Sequence, residues 1–262
     1  KLRPVVEAAP GDDEANGLGY RTRMQLHVDE AGTVGPYRER SHEVIKVKDL
    51  PLAVEDLREL EMHNKNFQNV KKIELSASST GQVQWKIDSK LKGDERLIER
   101  VAGRTFRISG GGFWQVHKKA AEVLSGAVTE MVAAVGIDKE ADNLDLYGGV
   151  GLFSGALAAK FGNDLRITSV ESFRQATDDA TLNLADLSRA KAVCAPVERF
   201  LNERVSNLDK GGKTASPRNA TIVLDPPRAG AGAKVVGQVL AIQPKHIVYV
   251  ACDPIALARD LK

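Results

Sequence analysis

The chain is predicted to fold as a doubly wound, mostly parallel α/β sheet preceded by a smaller antiparallel α+β piece, and three observations carry that reading. First, apolar runs alternate with helical patterns over the second half, which makes a parallel sheet flanked by helices. Second, Asn143-Leu-Asp-Leu-Tyr-Gly-Gly-Val-Gly-Leu-Phe-Ser-Gly155 reads as a buried strand, a glycine turn and the start of a helix. Third, the first hundred or so residues show period-two alternation with little helix. The expected division is 1–108 for the antiparallel domain and 109–262 for the parallel one.

Composition bounds the class. The chain has 262 residues, 42% hydrophobic and 27% charged, enough for two ordinary globular domains. No apolar run is long enough to span a bilayer. Two cysteines, Cys194 and Cys252, suit a reducing cytoplasm and are too few for a disulfide framework, a four-cysteine zinc site or a four-cysteine iron–sulfur cluster. A net charge of +2 permits nucleic-acid binding without arguing for it. There is no signal peptide, and the start at Lys1 rather than Met leaves open a leader or N-terminal piece ahead of it.

Residues 1–19 are polar, punctuated by Pro10-Gly11-Asp12-Asp13. From Tyr20, Arg21, Arg23 and Gln25 alternate with Thr22, Met24 and Leu26, a strand with one wet face. Gly32 to Gly35 turns it into a partner ending near Tyr37, and 41–48 reads as a further strand. Residues 51–60 read as a helix with Val54, Leu57 and Leu60 on one face. Strands are expected at 70–76, 82–88 and around Phe106 to Ile108. A long helix is expected from about Val116 to Val135, then strands near 143–147, 166–171, 191–194, 221–225 and 246–252 with helices between most of them. A polar, mobile loop is expected from Asp209 to Asn219.

In such a sheet, ligands bind outside the carboxyl ends of the strands. The residues there are the turn from Tyr147 through Gly149 to Gly151, Glu171, Asp225-Pro226-Pro227-Arg228, and Cys252-Asp253-Pro254. The glycines allow positive φ and close backbone approach, and the following helix aims unsatisfied N–H groups into the turn. A carboxylate tipping the second strand can accept hydrogen bonds from both hydroxyls of a ribose. These features predict a nucleoside-containing cofactor, either a dinucleotide or S-adenosylmethionine. Two prolines force the chain off the sheet after Asp225 and hold an acid and an arginine at the edge.

Cys252, at the end of the last predicted strand, is a nucleophile if deprotonated or else a small apolar filler. Cys194 reads as filler. On spacing alone, Phe113-Trp114-Gln115 reads as a domain junction. His42, His63, His117 and His246 lack metal-ligand spacing. The basic residues Arg21, Arg23, Arg38, Arg40, Lys71 and Lys72 read as a solvated face.

Taken in order, Phe113-Trp114-Gln115-Val116, Asp145 to Gly151, Val170-Glu171, Asp225 to Arg228, and Val248 to Pro254 with Ala258-Arg259-Asp260 form a set. This set resembles the RNA uracil-C5 methyltransferase family, which makes 5-methyluridine in tRNA and 23S rRNA, over about residues 105–262. The resemblance implies a Rossmann-like methyltransferase domain using S-adenosyl-L-methionine. It implies cofactor contacts from Gln115, Tyr147, Gly149, Gly151, Glu171 and Asp225, a nucleophilic Cys252, an RNA partner and no metal in this chain. Residues 20–50 resemble the family's central domain, so the first domain is expected to face RNA.

The chain departs from the family's pattern at several places. The family usually has Ser-Cys-Asn-Pro where Ala251-Cys252-Asp253-Pro254 stands, and it often has cysteine at the position of Gly148. An ionised acid at 253 is expected to raise the Cys252 thiol pKa. The family's general-base glutamate and last strands are expected beyond Lys262, and its N-terminal β-barrel and cluster cysteines are not in these residues. Rival readings are a cytosine-C5 methyltransferase, a catalytically inactive RNA- or cofactor-binding module, and a nicotinamide-dependent dehydrogenase.

Overall fold

A computed structural model describes residues 5–209 and 217–262. Residues 210–216, the middle of the expected polar loop, lie outside the described residues; Pro217–Asn219 is a 3-10 turn. The chain forms two compact units. One comprises residues 1–100 and 108–123, the other 101–107 and 124–262.

The first unit is built on an antiparallel sheet. Its strands are β1 (Arg23–Val28), β2 (Val34–Gly35), β3 (Lys72–Ala77), β4 (Val83–Ile87) and β5 (Lys90–Gly93), in the order β2-β1-β3-β4-β5. Alternation places Leu26, Ile73 and Leu75 on a buried face, where they meet Val34, Leu50, Ala53, Leu57 and Met62. Arg23, Gln25, Glu74, Ser76, Gln84 and Lys86 share the opposite face through the pairs Arg23↔Ser76, Gln25↔Glu74, Ser76↔Gln84 and Glu74↔Lys86. This is the polar face expected from the sequence, but it is not all solvated: Gln84 and Arg23 Nη1 are buried, because they line a cavity rather than face open water.

Two elements differ from expectation. The helix expected at 51–60 is a single turn, α1 (Glu55–Arg58). The backbone before it is engaged elsewhere: Arg21 N–H donates to Leu52 O, and Val54 N–H donates to Arg21 O. This bridge between Arg21 and Ala53 outcompetes a helix in which nucleation is costly. The strand expected at 41–48 is reduced to one bridge, Tyr37↔Val44, after a turn at Arg40 with φ +57°. Sequence reading missed β5 because all four of its residues are exposed and carry no apolar alternation. It also missed β6 (Arg96–Val101), which forms a hairpin with β7 (Arg104–Ser109). A helix, α2 (Ala120–Val135), follows.

The second unit is the parallel sheet. Its strands are β8 (Asn143–Leu146), β9 (Ile167–Glu171), β10 (Ala190–Cys194), β11 (Thr221–Leu224) and β12 (His246–Tyr249), in the order β10-β9-β8-β11-β12. The helices between and after them are α3 (Leu152–Phe161), α4 (Arg174–Asn183), α5 (Val197–Asp209), α6 (Gly232–Ile242) and α7 (Pro254–Asp260). Every residue of β8 and β11 is buried, as expected for central strands covered on both faces. Leu144, Leu146, Ile222 and Leu224 meet Val197 and Leu201 of α5 and Val235, Val239 and Ile242 of α6. Each such leucine contributes about 1.5–3 kcal/mol on burial. Asp145 points the other way, toward α3. There Gly155 leaves room for Phe106, whose ring would lie 2.9 Å from a Cβ at 155.

A buried asparagine sets the registry at the amino end of this sheet. The Asn143 amide donates to Asp138 O, Ala141 O and Arg166 O, and its Oδ1 accepts Thr221 N–H at 2.8 Å. It thereby ties β8 to the starts of β9 and β11. Replacing it strands buried backbone groups, each at a cost of about 1–3 kcal/mol. Asn143→Ala is expected to lower unfolding stability by about 2–4 kcal/mol in urea titrations. A loss below the error of the titration would contradict this role.

Candidate active site

The parallel register brings four strand ends to one edge. Leu146 pairs with Val170 and with Leu224, and Leu224 pairs with Tyr249. Just past them lie Tyr147, Glu171, Asp225 and the segment carrying Cys252. With strands ~4.8 Å apart, Glu171 and the end of β12 stand ~14 Å from each other along the edge.

The glycine turn is held from several sides. Tyr147 takes a left-handed backbone, φ +63°, uncommon for a residue with a side chain. Gly149 (φ +53°) and Gly151 (φ +90°) continue it, and Gly151 begins α3. The turn closes on itself through Gly151 N–H to Gly148 O at 2.8 Å and is tied to β9 through Gly148 N–H to Val170 O at 3.0 Å. A Cβ at 149 would meet nothing within 4 Å, so backbone there faces open space. A Cβ at 148 would stand 2.1 Å from Ser169 Oγ, so this chain's serine occupies the space that a larger residue at 148 would take.

Glu171 is already oriented. One oxygen accepts Phe173 N–H at 2.8 Å and the Ser172 hydroxyl at 3.1 Å; the other accepts Gly149 N–H at 3.2 Å. The carboxylate therefore links the glycine turn to the loop that opens α4. Asp225 follows β11, its N–H donating to Leu146 O at 3.2 Å. Burial alone pushes its carboxyl up to about 6.

Cys252 is exposed. The last strand is shorter than expected: β12 ends at Tyr249, and after one further bond, Val250 N–H to Leu224 O, the chain turns. Cys252 thus sits in the turn before α7, not in the strand. The departing Asp253 has a local task there. Its Oδ1 accepts Ile255 N–H at 2.8 Å and Ala256 N–H at 2.9 Å, capping α7 with Pro254 at its start. Asn and Asp are equivalent in this role, so the exchange keeps the cap. A tight recess is lined by Pro226, Pro227, Arg228, Tyr249, Cys252 and Asp253, among others.

Gln115 belongs to the first unit, where its carbonyl accepts the Thr22 hydroxyl at 3.2 Å. The other six residues named from the sequence, Tyr147, Gly149, Gly151, Glu171, Asp225 and Cys252, lie along the carboxyl edge of the parallel sheet.

Three supporting residues are given no role from the sequence. Asp145 is fully buried; one oxygen accepts Ser154 N–H at 3.0 Å and the Ser154 hydroxyl at 2.7 Å, while Oδ1 has no partner. Burial pushes its carboxyl up to about 6, against the opposing bonds from Ser154. An acid between Leu144 and Leu146 in an apolar run was the available signal. Asn183 Nδ2 donates to Val150 O at 3.0 Å, bracing the turn, and also to Arg107 O. Asp260 Oδ2 accepts the Tyr249 hydroxyl at 2.7 Å, Ala231 N–H at 2.7 Å and Gly232 N–H at 3.2 Å. These bonds hold the Asp260 carboxyl below the usual range and pin the loop after Asp225 to α7. Gly230 is required beneath it, because a Cβ there would come within 2.5 Å of Asp260 Oδ2.

Among the described residues no group of histidine, cysteine and acid side chains could hold a metal, and no helix is long and apolar enough to cross a membrane.

A parallel sheet with a glycine turn after its first strand and an acid tipping its second belongs to the class of α/β proteins that bind nucleoside-bearing cofactors at the carboxyl edge. The family model for tRNA (uracil-5-)-methyltransferases matches residues 94–262, and the chain belongs to that family. It is 35% identical over 289 residues to an uncharacterized RNA methyltransferase of Streptomyces avermitilis, covering 98% of this chain and 64% of the relative. It is also 35% identical to the mouse tRNA (uracil-5-)-methyltransferase homolog A, over 63% of this chain and 25% of the relative. The chain spans less than two thirds of the length of these relatives. Among solved structures, the tRNA (uracil-54, C5)-methyltransferase of Pyrococcus abyssi, in complex with S-adenosyl-L-homocysteine, shares the fold. It has a TM-score of 0.69 at 20% identity, covering 94% of this chain and 69% of that one.

The buried acid yields a pH dependence. An unfolded aspartate titrates near 3.9, and Asp145 in the fold near 6. Its contribution to stability is therefore complete below about 3.9 and lost as pH rises through about 6. Asp145→Asn keeps an acceptor for Ser154 and removes the charge. The variant is expected to gain about 2–3 kcal/mol relative to the parent between pH 4 and pH 8. A difference that stays flat over that range in urea titrations would exclude a raised pKa for Asp145 in the fold.

Proposed function

We propose that the chain is the methyl-transferring part of an RNA uracil-C5 methyltransferase, working in the cytoplasm on uridine in tRNA or rRNA. On this reading residues 1–108 face RNA, and residues 109–262 carry the chemistry. The observation that carries the reading is the shared edge of Glu171, the glycine turn, Asp225 and Cys252 in a chain of this family.

The residues fit an adenosyl cofactor. Glu171 is preset by Gly149 N–H, and the backbone at 149 opens onto free space. Bound S-adenosyl-L-methionine supplies an electrophilic methyl group on a sulfonium. Glu171 would accept the ribose hydroxyls, and Tyr147, Gly149 and Gly151 would line the adenosyl group. Asp225 would face its cationic end.

Uracil C5 is a weak nucleophile. The Cys252 thiolate adds to C6, the C5–C6 π electrons move through C4 to O4, and the resulting enolate makes C5 nucleophilic. After C5 gains the methyl group, a base removes the C5 proton. The electrons of that C–H bond re-form the C5–C6 double bond and expel the thiolate. A target inside a stack must first be flipped out.

Fluorine at C5 cannot leave as a proton, so the adduct persists. The parent chain with S-adenosyl-L-methionine and 5-fluorouridine RNA is expected to give a complex that survives denaturing electrophoresis, and Cys252→Ala none. Trapping only by 5-fluorocytidine RNA, or by the alanine variant, would reject the uridine mechanism. Glu171→Ala is expected to weaken S-adenosylhomocysteine binding about tenfold or more in calorimetry, about 1.4 kcal/mol or more for lost ribose bonds. Unchanged affinity would remove Glu171 from the cofactor site.

A further inference from the structure

The polar face of the antiparallel sheet in the first unit holds a cavity of about 410 Å³, lined by Arg23, Glu74, Gln84, Lys86, Gly111 and Phe113, among others. Its size falls within the range of about 300–1,000 Å³ common to small-ligand sites. Two buried donors in its wall have no partner. Gln84 is only 3% exposed; its Oε1 accepts Gly111 N–H at 3.0 Å, but Nε2 bonds to nothing. Arg23 Nη1 is likewise buried and unbonded. Buried donors left unpaired are costly, so the wall is suited to an acceptor-bearing ligand.

The charge agrees. Glu74, the one acid among the lining residues, is paired with Lys72 at 2.6 Å. Lys86 forms no ion pair among the described residues, and its ammonium lies 3.7 Å from where a Cβ of Gly111 would stand. Burial lowers the Arg23 guanidinium to about 10, partly offset by Glu99, and leaves it cationic at neutral pH. At the rim Phe113 is 71% exposed, a large apolar ring with an open face.

We propose that this cavity is a subsite for one nucleotide of the RNA substrate. Its phosphate lies against Arg23 and Lys86, its base stacks on Phe113, and the Gln84 amide donates to a base carbonyl or ring nitrogen. An exposed aromatic beside cations and a buried amide matches single-stranded nucleic acid better than an acidic peptide, which has no flat face to stack. The proposal rests on RNA being the substrate, as argued above.

The test uses the 262-residue chain, a fluorescein-labelled single-stranded RNA, and anisotropy at several salt concentrations. Lys86→Gln is expected to weaken binding and to reduce the slope of log affinity against log salt by about 0.7, the value for one phosphate on a single strand. Phe113→Ala is expected to weaken binding about 5- to 150-fold, with Phe113→Tyr restoring it. S-adenosylhomocysteine binding is expected to be unchanged in Lys86→Gln, which marks an intact fold. Variants that bind RNA as the parent does, while the parent still traps 5-fluorouridine RNA, would overturn the subsite alone. Failure of the parent to bind or trap RNA would overturn the enzymatic reading and the subsite with it. Equal weakening toward an acidic peptide competitor would assign the cavity to a protein partner instead.

Discussion

The parallel hydrogen-bonded register of β9, β8, β11 and β12 is the constraint on which the second unit depends. Because Val170, Leu146, Leu224 and Tyr249 stand side by side, these four strands all release the chain along one edge. A one-residue slip in any pairing would turn its strand over and exchange the faces of its side chains. Asn143 opposes such a slip at the amino end by bonding to backbone near the starts of two neighbouring strands. Apolar burial on both faces then makes the register cooperative, since Leu144 and Leu146 meet α5 and α6 while Asp145 meets α3.

At the carboxyl edge, carboxylates do the corresponding work. Glu171 joins the glycine turn to the next loop, Asp253 caps α7, and Asp260 fastens the loop after Asp225 to that same helix. Asp145 and Asp225 pay for their position in desolvation, and both are pushed up to about 6. An edge crowded with acids suits a cationic ligand. The first unit differs, because the cavity on its sheet face presents unpaired donors.

Much of the second unit was legible because its signals are local. Apolar runs of four or five residues separated by helical patterns place the five strands within a few residues, and the glycine turn announces the ligand edge. The first unit was less legible. The stretch 51–60 has helical periodicity, yet bonds from Arg21 to Leu52 and Val54 hold its first half extended. β5 is exposed and polar, so its pairing with β4 leaves no hydrophobic pattern. The strand leading to Cys252 was read too long, because Val250 and Ala251 continue the apolar run after the ladder has ended.

By itself, the sequence determined the fold class, the order of the motifs and the residue types available for chemistry. These follow from periodicity, glycine and proline, which act over a few residues. Only the tertiary structure decided that Asp145 is buried with one oxygen unpaired, that Asn183 braces the glycine turn, and that Asp260 ties the Asp225 loop to α7. It alone showed Gln84 and Arg23 sharing one cavity wall. Burial and hydrogen-bond satisfaction depend on residues dozens of positions apart in the chain, and no local pattern encodes which of those will meet.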